Sequence, residues 1–261
     1  MVYPTCQFYG ISTGLISPNE AIIPKIVAAM EKQDLSFKNG DILVIAESAL
    51  ATSEGRLVTL NDQTPSKEAE SIAEQYHLDP HLAEIVLNES DEIIGGIPGF
   101  LLCTSRGNLL PNAGVDGSNA PDGQVTLLPS DPDKSARIMR KAIADETGAA
   151  IAVLIIDSRT HPMRYGCSGV AIGCSGIPSV LDERGNRDLF GRELKVTRRA
   201  IADNIASAAE LLMGEADEGI PVVLVRGLDI PFGDYEGIEQ ISAEECIFMG
   251  IIARNAQKRL Q

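Results

Sequence analysis

Residues 151–156 (IAVLII) form six apolar positions in unbroken succession, and Asp157 and Ser158 follow at once. A run of this length, rich in branched side chains, predicts a strand buried on both faces. The stretch 41–46 (DILVIA), after the Asn39-Gly40 turn, and 221–227 (PVVLVRG) follow the same pattern. Other segments carry helical spacing. Ile138, Met139 and Ile143 share one side of a helix predicted over 134–147, and Ile201, Ile205, Ala208 and Leu212 share a stripe over 197–213. Two more helices are expected at 66–78 and 81–90, parted by Asp79-Pro80. GFLLCTS (99–105) and GNLLPNAG (107–114) read as a hairpin turning at Arg106-Gly107. Ser17-Pro18-Asn19-Glu20 has capping-box form and predicts a helix running to about Glu31, with Pro24 inside it. Ser242 and Glu245 make a second such box before a C-terminal helix.

The later half alternates helix and strand, while the first half is richer in hairpin signals. The expected class is therefore α+β, a mixed-sheet fold with two lobes. No linker divides the chain, so residues 1–261 are expected to act as a single unit whose two lobes are intertwined. Gly-Cys-Ser-Gly occurs at 166–169 and again at 173–176. The spacing of Cys167 and Cys174 fits no common zinc pattern, so small residues allowing close backbone approach are the favoured reason for the repeat.

Composition narrows the possibilities. With 44% hydrophobic and 23% charged residues, the chain is of ordinary globular type. No apolar run has the length a bilayer demands, so no membrane partner is expected. The N-terminus lacks the pattern of a signal peptide, and five cysteines without paired spacing suit reduced thiols in the cytoplasm. A formal net charge of -15 argues against nucleic acid, whose phosphates need clustered Lys and Arg. A phosphorylated small molecule remains compatible if divalent cations neutralise carboxylates and phosphates together.

Three acidic points stand in turns after apolar segments: Asp116 within GVDGSN (114–119), Asp157-Ser158, and Glu215 within MGEADEG (213–219). Carboxylates and a hydroxyl on separate loops are the oxygen ligands that magnesium or manganese prefers, although each alone is more often a cap or a solvated turn residue. The chain contains no G-x-x-x-x-G-K-[ST] loop and no G-x-G-x-x-G, so a P-loop or Rossmann cradle is not expected. The three histidines, His77, His81 and His161, allow no Ser-His-acid arrangement to be argued.

GVDGSN (114–119), LLPSDPDKSA (127–136), IIDSRTHPMRYG (155–166), GVAIGCSGI (169–177), RDLFGREL (187–194) and LLMGEADEGIPVVLVRG (211–227) together resemble the coenzyme F-420:L-glutamate ligases. These are gamma-glutamyl ligases that extend a deazaflavin cofactor. The resemblance implies a fold outside the common nucleotide-binding ones, a homodimer, and an amide ligase using GTP and two divalent cations, magnesium or manganese. Its chemistry would join L-glutamate to a small-molecule carboxylate acceptor through an acyl phosphate. On this resemblance Asp116 and Asp157 would hold one cation, and Ser158 and Glu215 would help hold the second. The nucleotide would meet Thr13, Gly14, Leu15 and Ile16, then Glu47, Ser48, Thr52 and Asn119. It would also meet the segment Met213, Gly214, Glu215, Ala216, Asp217, Glu218, Gly219 and Ile220. Arg164 is a candidate for binding substrate carboxylate or phosphate during catalysis, since Arg offers a bidentate fork. Arg192 is read instead as a surface ion pair.

Two departures from the family pattern bear on function. Thr52 stands where the family usually has a Lys reaching nucleotide phosphate, and Glu47 places a negative charge nearby. The family's Asp-Thr-x-Gly-Arg-Pro is here Asp157-Ser158-Arg159-Thr160-His161-Pro162, which leaves Arg159 to supply a guanidinium from a shifted position. The leading expectation is ligase chemistry with an altered acceptor or nucleotide preference. The alternative is a catalytically silent relative that binds nucleotide or metal in a regulatory role, which Thr52 favours and the acidic set opposes.

Overall fold

A computed structural model describes residues 5–252. The elements in chain order are β1 (Gln7–Ile11), α1 (Ile22–Glu31), β2 (Ile42–Ala46), α2 (Glu47–Ser53), β3 (Leu57–Thr59), α3 (Lys67–Tyr76) and α4 (Pro80–Glu89). A meander of β4 (Glu92–Ile97), β5 (Phe100–Ser105) and β6 (Asn108–Pro111) follows, then β7 (Gln124–Thr126) and α5 (Pro132–Thr147). The chain continues through β8 (Ala152–Thr160), β9 (Cys167–Ser175), β10 (Val180–Asp182), β11 (Arg198–Ala200), α6 (Ile201–Met213) and β12 (Val222–Arg226). The class is α+β with a mixed sheet.

That sheet has five strands in the order β1-β12-β2-β8-β9, with only β2 and β8 parallel. Its central strands are the apolar runs, and they are buried on both faces as such runs require. Leu43, Ile45, Val153 and Ile155 face α1 and α5, while Ile42, Val44, Leu154 and Ile156 face α6. A third apolar cluster, including Ile85, Val86, Leu101, Cys103 and Val125, lies among α4, the meander and β7. Among the described residues no helix is long and apolar enough to cross a membrane.

Several elements differ from the sequence pattern for physical reasons. The first helix starts at Ile22 because Ser17 and Glu20 close a turn on themselves: the Ser17 amide donates to Glu20 at 2.8 Å, and the Glu20 amide to the Ser17 carbonyl at 3.1 Å. Pro24 then falls in the first helical turn, where its missing N–H costs nothing. On α5, Ile138 is exposed and the buried face is Ala136, Met139 and Ile143. On α6 the buried stripe is Ile201, Ala202, Ile205, Ala206, Ala209 and Met213, with Ala208 and Leu212 at its margin. The box of Ser242 and Glu245 forms, residues 247–252 are helical, and the rest of that expected helix lies outside the described residues.

The Gly-Cys-Ser-Gly repeat encloses β9, and its glycines are where two helices touch the strand. A Cβ on Gly169 would come within 2.5 Å of the Ala206 carbonyl oxygen on α6, and one on Gly173 within 2.5 Å of the Pro132 carbonyl oxygen on α5. Close approach is thus the reason for small residues here. The hairpin of β8 and β9 shifts register once, between Ile155 and Ile156, and then pairs out to Thr160 and Cys167, so β8 continues four residues past its apolar run.

Candidate active site

Strand directions bring the functional segments to one end of the sheet. β1, β2 and β8 all finish there, and β9 and β12 begin there. Because β2 and β8 are parallel with Ala46 beside Ile156, the next residues, Glu47 and Asp157, emerge as neighbours. Alternation along β8 directs Asp157 and Arg159 to the α5 side and Ser158 to the α6 side. Asp116 is pinned nearby by a two-bond bridge to Thr126 at the end of β7 (3.1 and 2.8 Å). Its carboxylate accepts from the Ser118 amide and hydroxyl, each at 3.0 Å.

The electrostatics record how closely these acids face one another. Burial pushes the Glu47 carboxyl up to about 8, with the charges of Asp157 and Asp116 adding to the effect. Asp157 is also raised by burial and by Asp116, against the opposing charge and hydrogen bond of Arg159. On the α6 side, Glu210 is raised to about 7 by burial, then by its hydrogen bond with Glu215 and the charges of Glu215 and Asp157. Cys167 is raised by burial and then by Glu215, Glu210 and Asp157. Glu210 sits in the last turn of α6, the end of a helix that disfavours negative charge.

Five carboxylates therefore share this end of the sheet. Among the described residues the only salt bridge to any of them is Arg159 Nε to Asp157 Oδ2, at 3.2 Å. Among the described residues three buried side-chain atoms have no partner, and two of them are here: Glu210 Oε1 and Arg159 Nη2, the third being Ser175 Oγ near the other end of β9. An all-oxygen donor set with excess negative charge and an orphaned carboxylate oxygen fits a hard divalent cation. No group of three Asp, Glu, His or Cys side chains among the described residues closes on a common point as an assembled metal site.

The other expected site residues distribute as follows. Thr13 to Ile16 form the loop leaving β1, Met213 closes α6, and Gly214 to Ile220 form the loop entering β12. The two loops lie side by side: a Cβ on Gly10 would meet Ile220 Cγ2 at 3.0 Å, and one on Gly219 would meet Ser12 Oγ at 4.0 Å. Within the second loop Glu218 folds inward to accept from the Ala216 amide at 2.8 Å, leaving Glu215 to the carboxylate group. Ser48 follows Glu47 in the first turn of α2, whereas Thr52 lies near its far end, with its carbonyl bound by the Asn19 amide at 3.3 Å. Asn119 is exposed in the turn after Asp116. Arg164 lies exposed at the tip of the β8–β9 hairpin and is not brought into the carboxylate group. Arg192 pairs with Asp188 at 2.9 Å on the surface.

Sequence reasoning missed Glu210 altogether. The only signal was a carboxylate one helical turn before the Gly214 cap, on a flank of the apolar stripe.

Comparison with known proteins matches residues 10–227 to the family described as F420-0:Gamma-glutamyl ligase. The chain is 44% identical over 212 residues to the coenzyme F420:L-glutamate ligase of Methanopyrus kandleri, spanning 81% of this chain and 84% of that protein. The protein of the same name from Methanococcus maripaludis strain C7 is 40% identical over 240 residues, 92% of this chain and 95% of that protein. The counterpart from Methanothermobacter thermautotrophicus is 42% identical over 214 residues, 82% and 85% of the two chains. The chain belongs to the F420-0:gamma-glutamyl ligase family.

Proposed function

We propose that the protein is a GTP- and divalent-metal-dependent ligase that forms an amide, of gamma-glutamyl type, between L-glutamate and a carboxylate acceptor. The observation that carries this reading is the crowd of five carboxylates with one salt-bridging guanidinium, in a chain of this family. Asp116 and Asp157 would hold one cation, and Ser158 and Glu215 the other. When bound, the cations would neutralise the triphosphate and the charge that develops during phosphoryl transfer.

The chain's own residues have separate tasks. The paired loops 13–16 and 213–220, with Glu47 and Ser48 beside them, form the nucleotide's bed, and Glu47 is suited to a guanine edge rather than to phosphate. An acceptor carboxylate oxygen attacks the γ-phosphorus and GDP departs. The glutamate amine then attacks the acyl carbon, forming the amide and releasing phosphate. Exposed apolar side chains at Met163, Tyr165, Leu189, Phe190 and Val196 support a homodimer as the working form.

The test is to incubate the protein with F420-0, L-glutamate, GTP and manganese, and to follow glutamylated product by mass spectrometry alongside GDP. Equal amounts of amide and GDP are expected, and none of either without the metal. GDP and phosphate without amide would overturn the reading in favour of a hydrolase. Nucleotide binding without turnover would favour the silent regulatory relative, the reading to which Thr52 lends support.

A further inference from the structure

The loop leaving β1 is gathered around a single ammonium. Lys25, on α1, donates to the Leu15 carbonyl and to both carboxylate oxygens of Glu20, the latter at 2.9 and 2.8 Å. An ammonium has three donors, and these acceptors use them all. Glu20 in turn accepts from the Ser17 amide at 2.8 Å. Leu15, Ser17 and Glu20 thus close on one side chain that is only 23% exposed.

The same segment joins two parts of the nucleotide bed. At one end Ser12 lies against Gly219 of the loop entering β12. At the other, the Asn19 amide binds the Thr52 carbonyl at 3.3 Å on α2, and a Cβ on Gly55 would stand 2.5 Å from Asn19 Oδ1. Among the described residues, Lys25 is the only Lys or Arg whose side chain bonds to segments 13–16, 47–52 or 213–220.

Holding Leu15 has a consequence at the next amide. The Leu15 carbonyl and the Ile16 N–H belong to one trans peptide plane, in which they point in opposite directions. With the carbonyl turned to Lys25, the Ile16 N–H points away from it, and no acceptor among the described residues takes it. Ile16 packs on the core beside α1 while the Leu15 side chain is 94% exposed, so the peptide between them stands at the protein's boundary. A donor fixed in direction and left without a protein partner is open to a ligand oxygen.

We infer that Lys25 is a positioning residue for the nucleotide: by holding the Leu15 carbonyl it aims the Ile16 amide at a nucleotide oxygen, and Glu20 keeps the ammonium in place. This rests on the nucleotide reading above. Lys25 and Glu20 are not among the groups that shift Glu47, Asp157 or Glu210, so the role is separable from cation binding.

GTP with manganese, and manganese alone, are titrated calorimetrically into the full chain as wild type, Lys25→Met, Lys25→Arg and Glu20→Gln. Methionine loses all three bonds, whereas arginine keeps donors for both acceptors. GTP–manganese affinity should fall about tenfold in Lys25→Met, the worth of about one hydrogen bond. Glu20→Gln should lose less, and Lys25→Arg should recover most of the affinity. In the glutamylation assay the loss should appear in KM for GTP rather than in kcat. Manganese alone should bind within about twofold of wild type throughout, a factor worth a small fraction of one hydrogen bond. Unchanged GTP–manganese affinity in Lys25→Met would overturn the inference and leave the nucleotide reading in place. A parallel loss of manganese affinity would also overturn it, by making Lys25 a general prop. Tighter GTP binding in Glu20→Gln would do the same, because a released ammonium would then be meeting phosphate itself. Should Lys25→Met fail to fold, Glu20→Gln decides on these same readings. Wild type that ignores GTP–manganese would overturn the nucleotide reading and the inference together. GTP binding that depends on Lys25, in a protein that forms no amide, would keep the inference and overturn the ligase reading.

Discussion

Two acidic regions of this molecule are built in opposite ways. On the segment between β10 and β11 each acid shown in an ion pair has its own arginine: Asp182 with Arg184, Glu183 with Arg199, and Asp188 with Arg192. These groups face solvent, and hydrogen bonds from their partners lower the carboxyls, Asp182 to about 2. At the end of the central sheet, only Asp157 of five carboxylates has an arginine, Arg159, and burial raises Glu47, Asp157 and Glu210. The chain evidently can pair its acids, and at one place it does not. Electrostatic conflict retained at one half-buried place, in a chain that satisfies the same residue types elsewhere, marks a functional-site candidate.

The sharpest break of this contrast is Asp157→Asn. It should weaken metal-dependent GTP binding by about a hundredfold or more, since the proposed cation ligand and the centre of the charge group are both lost. Calorimetric titration with GTP and manganese checks it, and unchanged affinity would remove Asp157 from the site.

The next effect is on stability against pH in the metal-free protein. A carboxyl raised in the folded state binds its proton more tightly there than when unfolded. Folding is thus favoured at low pH, and stability falls as pH rises from the ordinary carboxylate range through the folded value. For Glu47 the window runs from about 4.5 to about 8. The unfolding free energy in EDTA should decline across that window by an amount on the order of several kcal/mol, and the unfolding midpoint with it. Glu47→Gln should flatten the decline. A midpoint that rises from pH 5 to 8 in the wild type would contradict the crowding.

Gly169→Ala probes the scaffold rather than the charge. The new methyl would press on the Ala206 carbonyl, and a cost of about 1–3 kcal/mol is expected in denaturant unfolding. The smallest effect belongs to the satisfied region: Glu183→Gln should leave the unfolding midpoint unchanged within error, because an exposed pair contributes little. A loss comparable to that at Gly169 would erase the distinction between the two regions.

Much of the scaffold was legible because burial on both faces leaves an unbroken apolar run. β2, the core of β8, β12 and the β5–β6 hairpin all lie close to their expected places. β9 was hidden, since its glycines and cysteines answer to helix contact rather than to strand propensity. The capping box at Ser17 misled because a reciprocal box closes a turn as well as it opens a helix. Asp116, Asp157 and Glu215 could be picked out as acids in turns, but nothing in their spacing shows that parallel pairing sets Glu47 beside Asp157. Glu210 could not be picked out, since a carboxylate on the flank of a helical stripe looks solvated until the neighbouring hairpin covers it. The bond from Arg159 Nη1 goes to Asn108, some fifty residues away and on a different sheet.

The adjacency of Glu47 and Asp157 carries one more consequence. Their roots are two parallel strands tied by backbone hydrogen bonds, and neighbouring strands in any sheet lie about 4.8 Å apart. The separation of the two backbones where these acids emerge is consequently ruled by the peptide ladder and not by side-chain packing. Substitutions in the surrounding loops can alter what approaches, but the gauge of that separation stays that of the sheet. The spacing at which the two acids leave the sheet is in that sense a property inherited from the backbone.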